Sequence, residues 1–282
     1  MKIGVITDSA SNLDLEYINK EKNLKMTPLM ISYDGSFHRD IIEVDYKTVY
    51  EKLEVTKVTT SLPSLEDFQD AIDQFRKDGY TDILVITISS QLSGTYQAFE
   101  LAGKDCEGIK LHFYDTKTLS AAEGNLVKVA LEGIDKGLSI PRIIANLNQS
   151  RYEDSVALFT VETLKYLREG GRIGKVEGTL GQLLNVKPVI SVNDEGVYYT
   201  VTKGFGMKRT MIAMKKVLKD KFKDDLIEIT IHYGNNLAKA QDLKGKLELD
   251  LNTKEVIISQ LTPVLGIHTG PEMYAIIARR VK

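Results

Sequence analysis

The sequence predicts an α/β protein of two domains, an N-terminal domain on a parallel sheet and a C-terminal α+β domain with a mixed sheet. Strand-like and helix-like segments alternate through the first half, as in successive βαβ units. Within it, Ile83–Ile88 is a continuous apolar run, the pattern of a strand buried on both faces. The second half instead mixes helices with a hairpin signal, Asn193-Asp194-Glu195-Gly196, set between extended runs. The boundary is expected after the Asn148-Gln149-Ser150 cluster, giving domains 1–153 and 154–282.

Taken in order, Lys2–Thr7 predicts a first strand, followed by the turn and cap residues Asp8, Ser9, Ser11 and Asn12. Lys25–Ser32 predicts one extended segment. Ser64 predicts a helix N-cap, with Phe68, Ala71, Ile72 and Phe75 at i, i+3, i+4 and i+7 and Gly79 as the stop. Thr95–Gly103 continues the central strand as a helix. Ile109–Tyr114 is a further strand, and Leu119–Lys136 and Ile140–Ser150 are helices. In the second half, Ser155–Val161 is a strand and Glu162–Arg168 a short helix running into Gly170-Gly171. Val189–Val192 and Val197–Val201 flank the hairpin turn. Lys208–Phe222 is an amphipathic helix, and a helix is expected near Asn236–Leu247. Leu226–Tyr233, Val256–Gln260 and Tyr274–Val281 complete the strands.

Composition narrows the function. The 282 residues carry 37 Lys plus Arg against 39 Asp plus Glu, a net charge of −2, without the basic excess of a nucleic-acid binder. Cys106 is the single cysteine, so neither an intramolecular disulfide nor a multi-cysteine metal site is available. No run approaches the ~20 apolar residues of a membrane-spanning helix, and no long apolar signal segment opens the chain. A cytoplasmic protein is expected. None of the four histidines shows metal spacing, so no metal is expected.

The chemistry concentrates in the stretch after Ile88. Ser89, Ser90, Gln91, Leu92, Ser93, Gly94 and Thr95 join a strand to a helix. Such a turn directs backbone N–H groups, hydroxyls and the positive end of the helix dipole at one point, which is a small-anion site. A solvated turn is the plain alternative. Thr59-Thr60-Ser61-Leu62-Pro63-Ser64 reads as a second hydroxyl-bearing helix entry, though ordinary turn and cap chemistry also accounts for it. His268 and Thr269, in the late Gly266–Pro271 loop, form a polar setting for a hydrogen bond to an anion or for acid–base work. Arg172, after a glycine helix stop, suits a phosphate, a carboxylate or an acidic partner surface, or simply faces solvent. Asp8-Ser9 reads as a cap in preference to a site for magnesium phosphate. Neither a GxGxxG turn nor a Walker lysine motif is present.

Several of these stretches, in this order, resemble the DegV family, which includes FakB-type fatty-acid-binding proteins of bacteria. They are Asp8-Ser9 with Asn12-Leu13, Thr60–Ser64, Ser89–Tyr96, Asp115-Thr116, Leu164–Leu167 through Gly170–Ile173, Asn185–Pro188 and His268–Pro271. Thr116 and Glu272 depart from the family's usual Ser and Gly. The resemblance implies a non-catalytic carrier without a cofactor, with one long-chain fatty acid between two domains. It implies that Ser61 and Ser93 hold the carboxylate, that Gly94 and Thr95 donate backbone N–H, and that His268 and Thr269 lie beside the head group. Arg172 would serve partner docking or phosphate contact. A FakA-type kinase would phosphorylate the bound carboxylate with ATP for phospholipid synthesis. Transient contact with a membrane surface is compatible with this, nucleic acid is not a partner, and a monomer is expected.

Two other readings stay open at this stage. Ser93 with His268 resembles part of a hydrolase, but Gln91 occupies the glycine position of a nucleophile elbow. A small phosphorylated-metabolite-binding module is the other, because helix N-termini accept phosphate as readily as carboxylate.

Overall fold

Parallel pairing organises the first half of the chain in the computed structural model, which describes residues 2–179 and 185–281. The elements run β1 (Ile3–Asp8), α1 (Leu15–Lys20), β2 (Leu24–Thr27), β3 (Met30–Tyr33), β4 (Ser36–Arg39), α2 (Tyr46–Val55) and β5 (Thr59–Ser61). They continue with α3 (Leu65–Lys77), β6 (Asp82–Thr87), α4 (Thr95–Ala102), β7 (Lys110–Asp115), α5 (Ser120–Asp135) and α6 (Ile140–Asn148). One compact unit comprises Met1–Glu153 together with Thr262–Val264.

Its main sheet has the order β2-β1-β6-β7, parallel throughout. Alternating side chains enter two different cores. Val5, Leu84 and Ile86 pack with Leu126, Val127 and Ala130 of α5. Ile6, Ile83 and Val85 pack with Phe68, Ile72 and Phe75 of α3 and Phe99 of α4. Burial on both faces is why the strand reads as uninterrupted apolar sequence. The expected α3 cap is present, with the Ser64 hydroxyl accepting from the Glu66 and Asp67 N–H groups. Its end closes as a Schellman turn, Tyr80 N–H donating to Phe75 O at 3.0 Å and Gly79 N–H to Arg76 O at 3.1 Å.

Two expectations for this half need correction. Lys25–Ser32 is not one strand. It divides at Pro28, whose missing N–H cannot continue a ladder. Only β2 joins the parallel sheet. β3 enters a separate antiparallel sheet, β4-β3-β5, in which Ser61 pairs with Met30. Thr59–Ser61 is therefore strand before it is helix entry. The Asp34-Gly35 turn between Tyr33 and Ser36, at positive φ in both residues, is the sequence signal for that sheet.

The second unit comprises Asp154–Leu261 and Leu265–Lys282. Its elements are β8 (Ser155–Val161), α7 (Lys165–Glu169), β9 (Val186–Val192), β10 (Tyr198–Phe205), α8 (Gly206–Phe222), β11 (Ile227–Tyr233), α9 (Leu237–Asp250), β12 (Thr253–Gln260), α10 (Pro263–Thr269, from Leu265 onward) and β13 (Met273–Arg280). The sheet order is β10-β9-β8-β13-β11-β12. Only β11 and β12 pair in parallel, so the sheet is mixed. The hairpin turn forms as expected, the Asn193 side chain accepting from Val197 N–H at 2.8 Å. Met214, Leu218 and Phe222 of α8 and Leu243 and Leu247 of α9 cover Ile229, Ile231 and Ile276. The Gly266–Pro271 stretch is a further correction. His268 and Thr269 end a helix that Pro263 opens, a position where the fixed proline φ suits the first turn. No helix among the described residues is long and apolar enough to cross a membrane.

Candidate functional site

The order β2-β1-β6-β7 places a topological switch between β1 and β6, because their crossovers run to opposite sides of the sheet. Ligand sites of open α/β sheets form outside the strand carboxyl ends at such a point. The residues following β1 and β6 are the serine-rich turns at Ser9 and Ser89.

The second turn is fixed at its base. Asp8 Oδ2 accepts from Ile88 N–H at 2.9 Å while Oδ1 accepts from Ala10 N–H at 2.9 Å. Ser89 N–H donates to Thr118 O at 2.8 Å, and Ser90 N–H to Asp115 Oδ1 at 3.2 Å. Ser89 O accepts from both Leu92 N–H (2.9 Å) and Ser93 N–H (3.0 Å). Ser93 Oγ then lies 2.8 Å from Thr95 Oγ1 and accepts weakly from Thr95 N–H at 3.4 Å.

What remains open is the N-terminus of α4. Its cap is Gly94, which has no side chain to offer, and the Ser93 hydroxyl reaches only the Thr95 N–H, at 3.4 Å. α1, α2, α3 and α9 recruit a capping side chain, as α3 recruits Ser64, whereas α4 shares the lack of one with α5, α6, α7 and α8. The first-turn N–H groups of α4, the Ser93 hydroxyl and the dipole thus converge where an anionic oxygen would complete the cap. Ser61 belongs to the neighbouring helix entry. A Cβ on Gly94 would sit 3.4 Å from Leu62 Cδ2, so the Ser61-Leu62 turn abuts Gly94. The first unit therefore brings Ser93, Gly94 and Thr95 together, with Ser61 one residue from that contact.

The second unit gathers Arg172, His268 and Thr269 around the end of α7. That helix stops with Gly171 N–H on Arg168 O and Arg172 N–H on Leu167 O, both 2.9 Å, which is the glycine stop expected from the sequence. Arg172 is not displayed outward. It is half-buried, and Nη1 donates back to Gly170 O. The His268 ring lies directly against Gly170, where a Cβ would overlap Nδ1. Burial first, and then the Arg172 charge, pull the His268 pKa down to about 4. His268 is accordingly a neutral imidazole at pH 7. Thr269 is buried, and its hydroxyl donates to Leu265 O at 3.3 Å within the helix. The open loop expected for this histidine does not form: His268 ends a helix, and its ring lies half-buried against Gly170.

Buried carboxyls escaped the sequence reading. Asp8, Asp40 and Glu123 are all fully buried. Thr7 Oγ1 donates to Glu123 Oε1 at 3.3 Å. Burial, and then the charge of Asp8, push Glu123 upward. Asp8 is pushed up to about 7 by burial, against hydrogen bonds from Ile88, Ala10 and Glu123. Asp40 Oδ1 accepts from Val264 N–H at 3.0 Å, and Asn12 Oδ1 from Thr262 N–H at 2.8 Å, so these two side chains hold the Thr262–Val264 segment. Only the Asp8 cap had a local signal; Asp40 and Glu123 sit in unremarkable sequence.

Asp40 is likewise pushed up to about 7 by burial, opposed by hydrogen bonds from Ser9, Val264 and Ile41. An unfolded Asp titrates near 3.9. The folded chain thus keeps a proton that the unfolded chain releases, and stability falls as pH rises from about 4 to about 7. Asp40→Asn should make that decline shallower, by up to about 1.4 kcal/mol per pH unit. Urea unfolding at pH 5, 6 and 7.5 checks this, and parallel curves for variant and parent would contradict it.

Among the described residues no group of three or more His, Cys, Asp or Glu side chains could hold a metal ion. A family model for DegV proteins matches residues 2–280. A DegV domain-containing protein of Clostridium acetobutylicum is 36% identical over 279 residues, 98% of each chain. A solved DegV family protein of Thermus thermophilus, described as fatty-acid binding, superposes with a TM-score of 0.91 at 29% identity, covering 100% of both chains. One from Streptococcus agalactiae, also described as fatty-acid binding, does so with a TM-score of 0.87 at 27% identity and the same full coverage.

Proposed function

The chain belongs to the DegV family, and from that premise we propose that it binds one long-chain fatty acid and presents the carboxylate to a separate ATP-dependent kinase. The observation that carries this reading is the α4 N-terminus with the Ser93 hydroxyl beside it, lying at the switch point between β1 and β6 where open parallel sheets bind ligands. Fatty-acid binding by solved relatives of 27–29% identity supports the choice of carboxylate over other anions. Ser61 and Ser93 hold the carboxylate, with Gly94 and Thr95 donating N–H groups. His268 and Thr269 are assigned to the head group, and Arg172 to partner docking or the transferred phosphate. The carrier is cytoplasmic and monomeric, and the acyl phosphate formed on it enters phospholipid synthesis.

Magnitudes divide the work. Each buried CH₂ contributes ~0.8 kcal/mol, so a 16-carbon tail contributes on the order of 10 kcal/mol before ordering costs. One charge-assisted hydrogen bond contributes about 1.5–3 kcal/mol. The tail therefore sets affinity, and the turn sets the orientation that phosphoryl transfer requires. The hydrolase reading is the weaker one, since an imidazole with a pKa near 4 is a poor base at neutral pH.

Lipid extraction and native mass spectrometry of the purified chain test binding directly. A fatty acid should co-purify. Its absence, with no uptake of added palmitate or oleate, would refute the reading. Ser93→Ala should reduce acyl-phosphate formation with a FakA-type kinase by at least tenfold, while fatty-acid affinity falls about threefold or less. Arg172→Ala should spare lipid binding and slow kinase turnover. Equal losses of binding and transfer in Ser93→Ala would remove the orienting role.

A further inference from the structure

In the second unit, α8 and α9 leave an open groove of about 560 Å³ between them. Met207, Met211 and Ile212 form its α8 wall and Leu243 its α9 wall. Leu243 is buried at the floor, whereas Ile212 is 55% exposed, a large apolar side chain without cover. Lys208 and Lys215 on one helix and Lys239 and Lys246 on the other edge the groove, with Asp242 the one acidic lining residue. Spacings of three and four residues put each set on a single helix face.

We propose that this groove docks an acidic amphipathic helix of a partner protein, its apolar side chains between the methionines and Leu243 and its carboxylates on the lysine edges. Three features favour that occupant. A concave channel between two helices is the geometry of helix-in-groove recognition. Methionine side chains, unbranched and polarisable, adapt to an inserted apolar residue. Four lysines, set against Asp242 in the lining and Asp250 and Glu272 beside it, leave a small positive excess centred on Lys208 that favours an acidic partner. The present ion pairs, Lys215 with Asp250, Lys239 with Glu272 and Lys246 with Asp242, are surface pairs of small individual strength and can exchange for a partner's carboxylates. A flat bilayer would meet the lysine edges without reaching the Leu243 floor. None of the fatty-acid residues assigned above lines this groove, so the inference stands apart from the lipid reading.

The test uses the full chain and fluorescence anisotropy. The probe is a labelled helix-forming peptide of about 18 residues, long enough for a stable helix, with leucine on one face and glutamate on its flanks. Its twin carries lysine in place of glutamate, and phosphatidylglycerol vesicles form the third arm. The acidic peptide should bind at least tenfold more tightly than the twin and weaken as salt is raised. Ile212→Ser and, separately, Lys208→Glu should each weaken it about fivefold or more; both positions are exposed, and unchanged circular dichroism confirms the fold. Equal binding of the two peptides, or no binding at about 1 mM, would overturn the proposal. So would capture by vesicles that the same substitutions abolish without peptide binding.

Discussion

Phe99→Ala is expected to lower the unfolding free energy by about 3–5 kcal/mol, the range for truncating a fully buried aromatic side chain. Phe99 is completely buried and stacks on Phe68 with ring centroids 4.0 Å apart and planes 5° from parallel. The loss has two parts: the transfer of the ring out of the core, and the cavity left against α3. The effect should reach the site as well. α4 has eight residues, too few to be stable alone, so packing holds its N-terminus in place. Phe99→Ala should therefore weaken fatty-acid binding in the protein that remains folded. Phe99→Leu, which keeps most of the volume, should cost less. Guanidinium unfolding beside a fatty-acid binding titration checks both. A loss below about 1 kcal/mol for the alanine variant would show that α4 is held by something else.

The second large effect concerns Gly270, the residue after His268 and Thr269. It has φ of +76°, and a Cβ there would overlap the Tyr166 ring. Left-handed backbone costs a non-glycine residue about 1–2 kcal/mol, and overpacking adds about 1–3 kcal/mol. Gly270→Ala should thus cost roughly 2–5 kcal/mol. Gly171 separates the two contributions. Its φ is +71°, but beyond its chain neighbours no heavy atom of the described residues lies within 4 Å of a Cβ placed there. Gly171→Ala should show the conformational cost alone, about 1–2 kcal/mol. Thermal unfolding of the two variants side by side measures the difference. Equal losses would mean that the Tyr166 ring yields without cost.

Much of the fold was legible in both units because its signals are local. The apolar run ending at Ile88, the Ser64 cap with its i, i+3, i+4 and i+7 followers, and the hairpin turn at Asn193 each state their structure within a few residues. The serine-rich entry to α4 was legible for the same reason, since a strand-to-helix turn needs only neighbours to form. The β4-β3-β5 sheet was missed although Asp34-Gly35 announces its hairpin, because Lys25–Ser32 looks continuous until Pro28 is weighed. His268 was misplaced because Gly266 and Gly270 suggest a loop, whereas packing sustains α10 across Gly266.

The sequence by itself determined both ends of α3, the strand-to-helix turn carrying Ser93, and a family likeness from its motifs and their order. These depend on capping hydrogen bonds, φ preferences and apolar periodicity, which act over a few residues. Tertiary structure alone decided that Asp8, Asp40 and Glu123 would be buried, that Arg172 would turn back to Gly170, and that His268 would be neutral beside it. Desolvation and contact depend on which distant segments close over a group, and residues 116 or 224 positions apart, as Thr7 with Glu123 and Asp40 with Val264, carry no local mark of their meeting.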